Sequence, residues 1–112
     1  MKDGRPDEAV EHLAAAARLR PRDVAIQNSL GAALLAAQRF PEAIEHLATA
    51  VRLDPGHALA HGNLASALAR TGRVPEAIAH LRIALRLDPG NAAWRENLWK
   101  LETRRPSNPP RN

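Results

Sequence analysis

A 34-residue period runs through the chain, and it narrows the possible folds more than any other property of the sequence. The stretch Arg39-Phe40-Pro41-Glu42-Ala43-Ile44-Glu45-His46-Leu47 returns as Arg73-Val74-Pro75-Glu76-Ala77-Ile78-Ala79-His80-Leu81. The match continues from Ala50-Val51-Arg52-Leu53-Asp54-Pro55-Gly56 to Ala84-Leu85-Arg86-Leu87-Asp88-Pro89-Gly90. An earlier copy reads Arg5-Pro6-Asp7-Glu8-Ala9-Val10-Glu11-His12-Leu13, then Ala17-Arg18-Leu19-Arg20-Pro21. A fixed period of this length marks a stack of supersecondary units, each burying its apolar face on its neighbours.

Composition says what the units are made of. Apolar residues make up 45% of the 112, and only 3% are aromatic. Ala supplies 23 residues and Leu 15, whereas Val and Ile together supply 8. Ala and Leu head the helix scale, and a sheet needs the β-branched and aromatic residues that are scarce here. The chain is therefore expected to be all-α. Between the repeated blocks a second helical pattern recurs, Asn28-Ser29-Leu30-Gly31-Ala32-Ala33-Leu34 against Gly62-Asn63-Leu64-Ala65-Ser66-Ala67-Leu68, with a looser echo at Glu96-Asn97-Leu98-Trp99. Six helices follow, near 6–19, 24–37, 41–53, 58–71, 75–87 and 92–103. Pro41 and Pro75 suit a first helical turn, where a missing N–H costs nothing. Pro55 and Pro89 push Asp54 and Asp88 out of the α region and close the helices before them.

A 34-residue helix–turn–helix unit with these residues resembles the tetratricopeptide repeat. Leu30, Gly31, Leu34, Phe40, Ala43, Leu47, Ala50 and Pro55 occupy its pattern in one unit; Leu64, Ala65, Leu68, Gly72, Val74, Ala77, Leu81, Ala84 and Pro89 occupy it in the next. A first unit has only its second half (Gly4, Ala9, Leu13, Ala16, Pro21), and a fourth only its first, with Leu98. The resemblance implies a right-handed α-solenoid of antiparallel helix pairs, A and B. It divides the chain into a repeat domain over 4–103 (half repeat 4–23, repeats 24–57 and 58–91, capping helix 92–103) and a tail, 104–112, that lacks apolar residues other than proline and is expected to be disordered. Gln27, His61 and Arg95 depart from the pattern, which puts a large apolar residue there. Trp94 and Trp99 are expected to cover the end of the core.

The chain opens on a B helix with no A helix before it. Three explanations fit: a longer protein of which this is the C-terminal piece, a misassigned start, or a face covered by a second copy, which would make a homo-oligomer through the N-terminal half repeat. Met1-Lys2-Asp3-Gly4-Arg5-Pro6 lacks the pattern of a secretory signal, and no apolar run approaches the roughly 20 residues that span a bilayer. A cytoplasmic protein without a membrane partner is the expectation. The net charge of +4 and pI of about 11 owe much to arginine, 14 of the 16 basic residues. The charges are interspersed with Glu42, Glu45 and Asp54, without the basic stripe of a nucleic-acid binder.

Little in the sequence supports catalysis or a cofactor. There is no cysteine, hence no disulfide, thiolate metal site or thiol nucleophile. His12, His46 and His80 recur at the period, on successive B helices some 8–10 Å apart, too far to share an ion whose ligands lie at about 2.0–2.1 Å. They are expected on the outer face of the B helices. His57 and His61, four apart, lack a third ligand. Ser29, Thr49, Ser66 and Thr71 sit in no nucleophile elbow, and no phosphate-binding glycine loop is present. The acidic Glu8, Glu11, Glu42, Glu45 and Glu76 fit the early turns of helices, where the dipole favours them.

The remaining surface is the groove lined by A helices, where stacked helical repeats hold ligands. By the resemblance its side chains include Ala25, Asn28, Ser29, Ala32, Leu35 and Ala36, then Leu59, Gly62, Asn63, Ser66, Ala69 and Arg70, then Ala93, Glu96, Asn97 and Lys100. The stretch His57-Ala58-Leu59-Ala60-His61-Gly62-Asn63-Leu64-Ala65 resembles an A helix of O-linked N-acetylglucosamine transferases, in which asparagines at the position of Asn63 and Asn97 hold an extended peptide backbone. An amide can serve both C=O and N–H of a peptide. Asn28, Leu35, Asn63, Ser66, Arg70, Asn97 and Lys100 are thus the candidate site. Arg70, Lys100 and Arg104 would make one rim basic and favour an acidic segment or terminal carboxylate. The two-carboxylate clamp for chaperone tails needs Lys and Arg where this chain has Asn28, Ala32, Leu59 and Asn63, so that specialisation is not expected. The expected function is a non-catalytic interaction module for a peptide or partner helix. The alternative is a substrate-presenting segment of a larger enzyme, such as a glycosyltransferase.

Overall fold

A computed structural model describes residues 5–103; Gly4, Arg104 and the tail with its expected disorder lie outside them. Six helices follow one another: α1 (Arg5–Leu19), α2 (Val24–Ala36), α3 (Phe40–Leu53), α4 (Ala58–Arg70), α5 (Val74–Leu87) and α6 (Ala92–Thr103). Every end lies within one residue of the expected bound, and no strand occurs among the described residues.

The helix ends are made by a small set of repeated devices. Asp23, His57 and Asn91, each 34 residues apart, are N-caps: their side chains accept the N–H of Ile26, Ala60 and Trp94 at 3.1, 3.1 and 3.0 Å. Each satisfies one of the orphan donors of a first turn. Pro41 and Pro75 lie in the first turns of α3 and α5. α2 and α4 end in the same pair of bonds. Arg39 N–H donates to Leu34 C=O and Gln38 N–H to Leu35 C=O; Arg73 and Gly72 do the same to Leu68 and Ala69. This six-to-one, five-to-two pattern needs a left-handed residue at its centre, and Gln38 (φ 62°) and Gly72 (φ 83°) supply it.

The helices pack as antiparallel pairs, α2 with α3 and α4 with α5, while α1 joins α2, α3 joins α4 and α5 joins α6. This is an all-α solenoid of helix pairs, 52 × 35 × 22 Å. Small residues set the approach within a pair. A Cβ on Gly31 would stand 2.4 Å from Leu47 Cγ, so α2 and α3 meet closer than any side chain on residue 31 allows. Ala43, Leu47 and Ala50, like Ala77, Leu81 and Ala84, are at most 2% exposed. Their counterparts on α1, Ala9, Leu13 and Ala16, are only half-buried, because no A helix lies in front of α1 among the described residues. Leu30, Leu34 and Leu47 fill the centre, each contributing roughly 1.5–3 kcal/mol by leaving water.

Two expectations need correction. His46 and His80 do not face outward from their B helices. His46 Nδ1 lies 2.8 Å from Gln27 Oε1, and His80 Nδ1 lies 3.1 Å from His61 Nδ1. Gln27 and His61, both 5% exposed, reach back to a loop carbonyl as well: Gln27 Nε2 donates to Pro21 O and His61 Nε2 to Pro55 O, and Arg95 Nη1 repeats the bond to Pro89 O. A polar clasp thus replaces the large apolar residue of the repeat pattern. The buried amide and imidazole keep partners, so their burial carries no unsatisfied-group penalty. The second correction concerns the tryptophans. Trp94 covers Gly62, whose Cβ would fall 2.5 Å from the indole ring. Trp99 is 65% exposed: it occupies the position of Gly31 and Ala65, which faces a B helix, and α6 has none among the described residues.

Candidate functional site

The A helices α2, α4 and α6 present the residues singled out from the sequence. α2 contains no charged residue between Val24 and Ala36, so its contribution is small apolar side chains with Asn28 and Ser29 among them. Gly62 and Ala65 are buried within α4, and Asn63 and Ser66 stand beside them toward solvent. α6, an A helix without acidic residues in its first turn, adds Glu96, Asn97 and Lys100.

Asn63 Nδ2 donates to Asn28 Oδ1 at 3.0 Å. This bond ties α4 to α2 across adjacent repeats and uses one donor of the asparagine expected to hold a peptide; its carbonyl oxygen stays available. Asn97 is exposed and makes no side-chain hydrogen bond to another described residue, so the three asparagines do not form a uniform ladder.

A cavity of about 280 Å³ opens between α4 and α6, lined by Leu35, Ala65, Ser66, Ala69, Arg70, Leu81, Asn97, Lys100 and Leu101. Leu81 of α5, only 2% exposed, contributes to the lining between them. Five of the seven candidates (Leu35, Ser66, Arg70, Asn97 and Lys100) come together around this cavity. Asn28 and Asn63 lie beside it as a bonded pair. Ala69, expected on the groove face, also lines the cavity, whereas Ala65, Leu81 and Leu101 escaped the sequence reading. Leu81 sits on a B helix and fills a core position of the repeat pattern, so nothing marked it as reachable from the groove. Leu101 was legible in hindsight, three residues after Leu98 and seven after Trp94 on one face of α6.

Positive charge gathers on one side of the cavity. The Arg70 guanidinium carbon sits 4.7 Å from the Phe40 ring centroid, a cation–π contact that holds the charge at the rim without neutralising it. Lys100 Nζ lies 3.6 Å from Glu96 Oε2, an exposed and weak pair. The floor is leucine and alanine. Among the described residues no group of three His, Cys, Asp or Glu can hold a metal ion, and no helix is long and apolar enough to cross a membrane.

Comparison with known proteins agrees with the fold. A family model described as tetratricopeptide repeat matches residues 1–58 and again 33–92. No curated protein sequence matches the chain. Among solved structures, the first repeat domain of Spaghetti (RPAP3) bound to the HSP90 peptide SRMEEVD superposes with a TM-score of 0.86 at 21% identity, over 90% of this chain and 80% of that one. The Arabidopsis OM64 domain does so at 0.85 and 24% identity, over 88% and 82%. The TPR2B domain of yeast Sti1, in a complex with Hsp70, gives 0.83 at 24% identity over 91% and 86%. At these identities the likeness is one of fold.

Proposed function

The chain belongs to the tetratricopeptide repeat family, and from that premise we propose that it is a non-catalytic interaction module whose A-helix groove holds a peptide or a partner helix. The observation that carries the reading is the cavity between α4 and α6, with its leucine floor and its Arg70 and Lys100 rim. It fits one large apolar side chain of the partner, with carboxylates beside it. Asn97 and the free oxygen of Asn63 then serve the partner's backbone. Two structures of the same fold carry chaperone peptides or complexes in their names, one of them the sequence SRMEEVD with its two glutamates and terminal aspartate. That supports an acidic partner here, although this groove has Asn28, Ala32, Leu59 and Asn63 where a two-carboxylate clamp has cations.

The test is selection from a random peptide library displayed on phage, followed by fluorescence anisotropy with the winning peptide. Winners are expected to carry Leu, Ile or Phe next to Asp or Glu. Ser66→Trp fills the cavity from an exposed position and is expected to weaken that peptide by roughly tenfold or more, about 1.4 kcal/mol. Arg70→Glu with Lys100→Glu is expected to weaken it similarly and to relax the preference for acidic residues. A peptide whose affinity survives both changes binds elsewhere, and the groove reading then fails.

A further inference from the structure

The clasp of one repeat is built entirely of histidine, which gives it a property its neighbour lacks. Asp23, Gln27 and His46 of the α2–α3 pair recur 34 residues later as His57, His61 and His80 of the α4–α5 pair. His57 caps α4 by accepting the Ala60 N–H on Nδ1 at 3.1 Å, which requires a bare ring nitrogen. His61 Nε2 lies 2.8 Å from the Pro55 carbonyl oxygen. A carbonyl only accepts, so Nε2 carries the hydrogen, and in a neutral ring Nδ1 is then bare. His80 Nδ1, 3.1 Å away, must be the donor. The two rings stack with centroids 5.3 Å apart.

Counting protons shows what this arrangement tolerates. One extra proton can go to His80 Nε2 and leave the bond between the rings intact. A second has only His61 Nδ1 to occupy, and it sets N–H against N–H with two like charges in contact. A proton on His57 Nδ1 removes the cap of α4. The carboxylate acting on His80 is Glu76, on the same helix, and Arg73 already holds it at 2.7 Å. From α3, His46 is bonded to Gln27, and from α6, Arg95 is turned to Pro89. Burial, with the charge of His61, lowers the His80 pKa from its ordinary value, and Glu76 opposes this. The second repeat has no such weakness: Asp23 accepts whenever it is ionised, and Gln27 Oε1 accepts from His46 whether that ring is neutral or charged.

We infer that the α4–α5 repeat is an acid-sensitive element: its cap and clasp rest on bare imidazole nitrogens that a proton turns from acceptors into donors, so acid releases them, while the α2–α3 repeat, built on Asp23 and Gln27, keeps both. The direction follows from linkage. A histidine with a lowered folded-state pKa is neutral in the fold, so the unfolded chain binds the proton first as pH falls past about 6.5. Stability is complete above that pH and is lost as pH falls from there toward the lower folded value. The inference stands whatever the groove binds.

The experiment compares the wild-type chain with His57→Asp combined with His61→Gln, which gives the third repeat the cap and clasp of the second. Thermal unfolding is followed at pH 7.5 and 5.0, and the histidine rings of the wild type are titrated by NMR. The wild type is expected to lose about 5 °C or more of Tm beyond any loss in the variant, and His80 to titrate below the ~6.5 of a free imidazole. Equal losses in the two proteins overturn the inference, as does a His80 midpoint at or above that value. If the variant does not fold, amide-exchange protection in the wild type decides. At pH 5.0 it should fall in α4 and α5 relative to pH 7.5 and hold in α2 and α3, and a uniform fall overturns the inference.

Discussion

At the scale of single residues, the turn positions Gln38 and Gly72 show how backbone and side chain can part company. Both hold the left-handed conformation that ends an A helix, but only glycine holds it without a clash between Cβ and carbonyl. The left-handed form costs a residue with a side chain about 1–2 kcal/mol, and glycine gives back about 0.5–1 in unfolded-state entropy. Gln38→Gly is therefore expected to stabilise the fold by about 0.5 kcal/mol, visible as a Tm raised by a few degrees. A lower Tm would mean that Gln38 contributes something beyond the turn. Gly62 makes the opposite case. A Cβ there meets Trp94 Cε2 and Cζ2 at 2.5 Å, and the indole is too rigid to yield cheaply. Overpacking costs about 1–3 kcal/mol, against a helix-propensity gain of up to about 1. Gly62→Ala is expected to cost about 1 kcal/mol net and to shift Trp94 emission to the red in a Trp99→Phe background. Gly72 was legible from the family pattern. Neither Gln38 nor Gly62 was, because the first breaks the pattern in residue type while keeping its backbone, and the second owes its role to a side chain 32 positions away.

At the scale of the helix, the period preserved a task while changing the residues that perform it. Helix number, bounds and pairing were legible in the sequence, since they rest on Ala, Leu and Pro at fixed spacing. The caps Asp23, His57 and Asn91 and the clasp residues Gln27, His61 and Arg95 were not. Three side chains with no similarity at one repeat position look like drift, until their shared bond to the proline carbonyl six residues earlier is seen. The same substitution therefore has graded consequences along the chain. Asp23→Ala removes one cap bond and a carboxylate at the positive end of α2, and is expected to cost about 1 kcal/mol, measured by chemical denaturation with an unchanged m-value. The first turns of α3 and α5 carry a different pair. Arg39 and Arg73 hold the carboxyls of Glu42 and Glu76 below their ordinary pKa, each through its side-chain hydrogen bond. A lowered carboxyl pKa contributes stability that is present above about 4.5 and lost as pH falls through the folded value. This acid loss belongs to a more acidic range than the histidine loss between pH 7.5 and 5.0, so the two separate in a pH scan.

At the scale of the whole stack, the two ends of its described part are complementary in type and yet do not fit. α1 is a B helix whose flank, with Ala9, Leu13 and Ala16, is only partly covered. α6 is an A helix, the kind that covers such a flank elsewhere in the chain. Joining α6 of one copy to α1 of another would continue the solenoid, and repeated joining would give an open filament. Two residues oppose this. Where α2 offers Leu30, Gly31 and Leu34 to its B helix, α6 offers Leu98, Trp99 and Glu102. An indole stands where even a methyl group on Gly31 would meet Leu47, and a carboxylate, paired with Arg82, stands where Leu34 is 2% exposed. Bringing Glu102 into that contact would strip water from a charge, which costs several kcal/mol even after relaxation. Trp99→Gly with Glu102→Leu restores the Leu-Gly-x-x-Leu pattern of α2 on α6. In sedimentation velocity the double variant is expected to form concentration-dependent head-to-tail oligomers, while the wild type shows no association that these two substitutions strengthen. A variant that sediments like the wild type at every concentration would show that shape at this end of the stack is not what keeps copies apart.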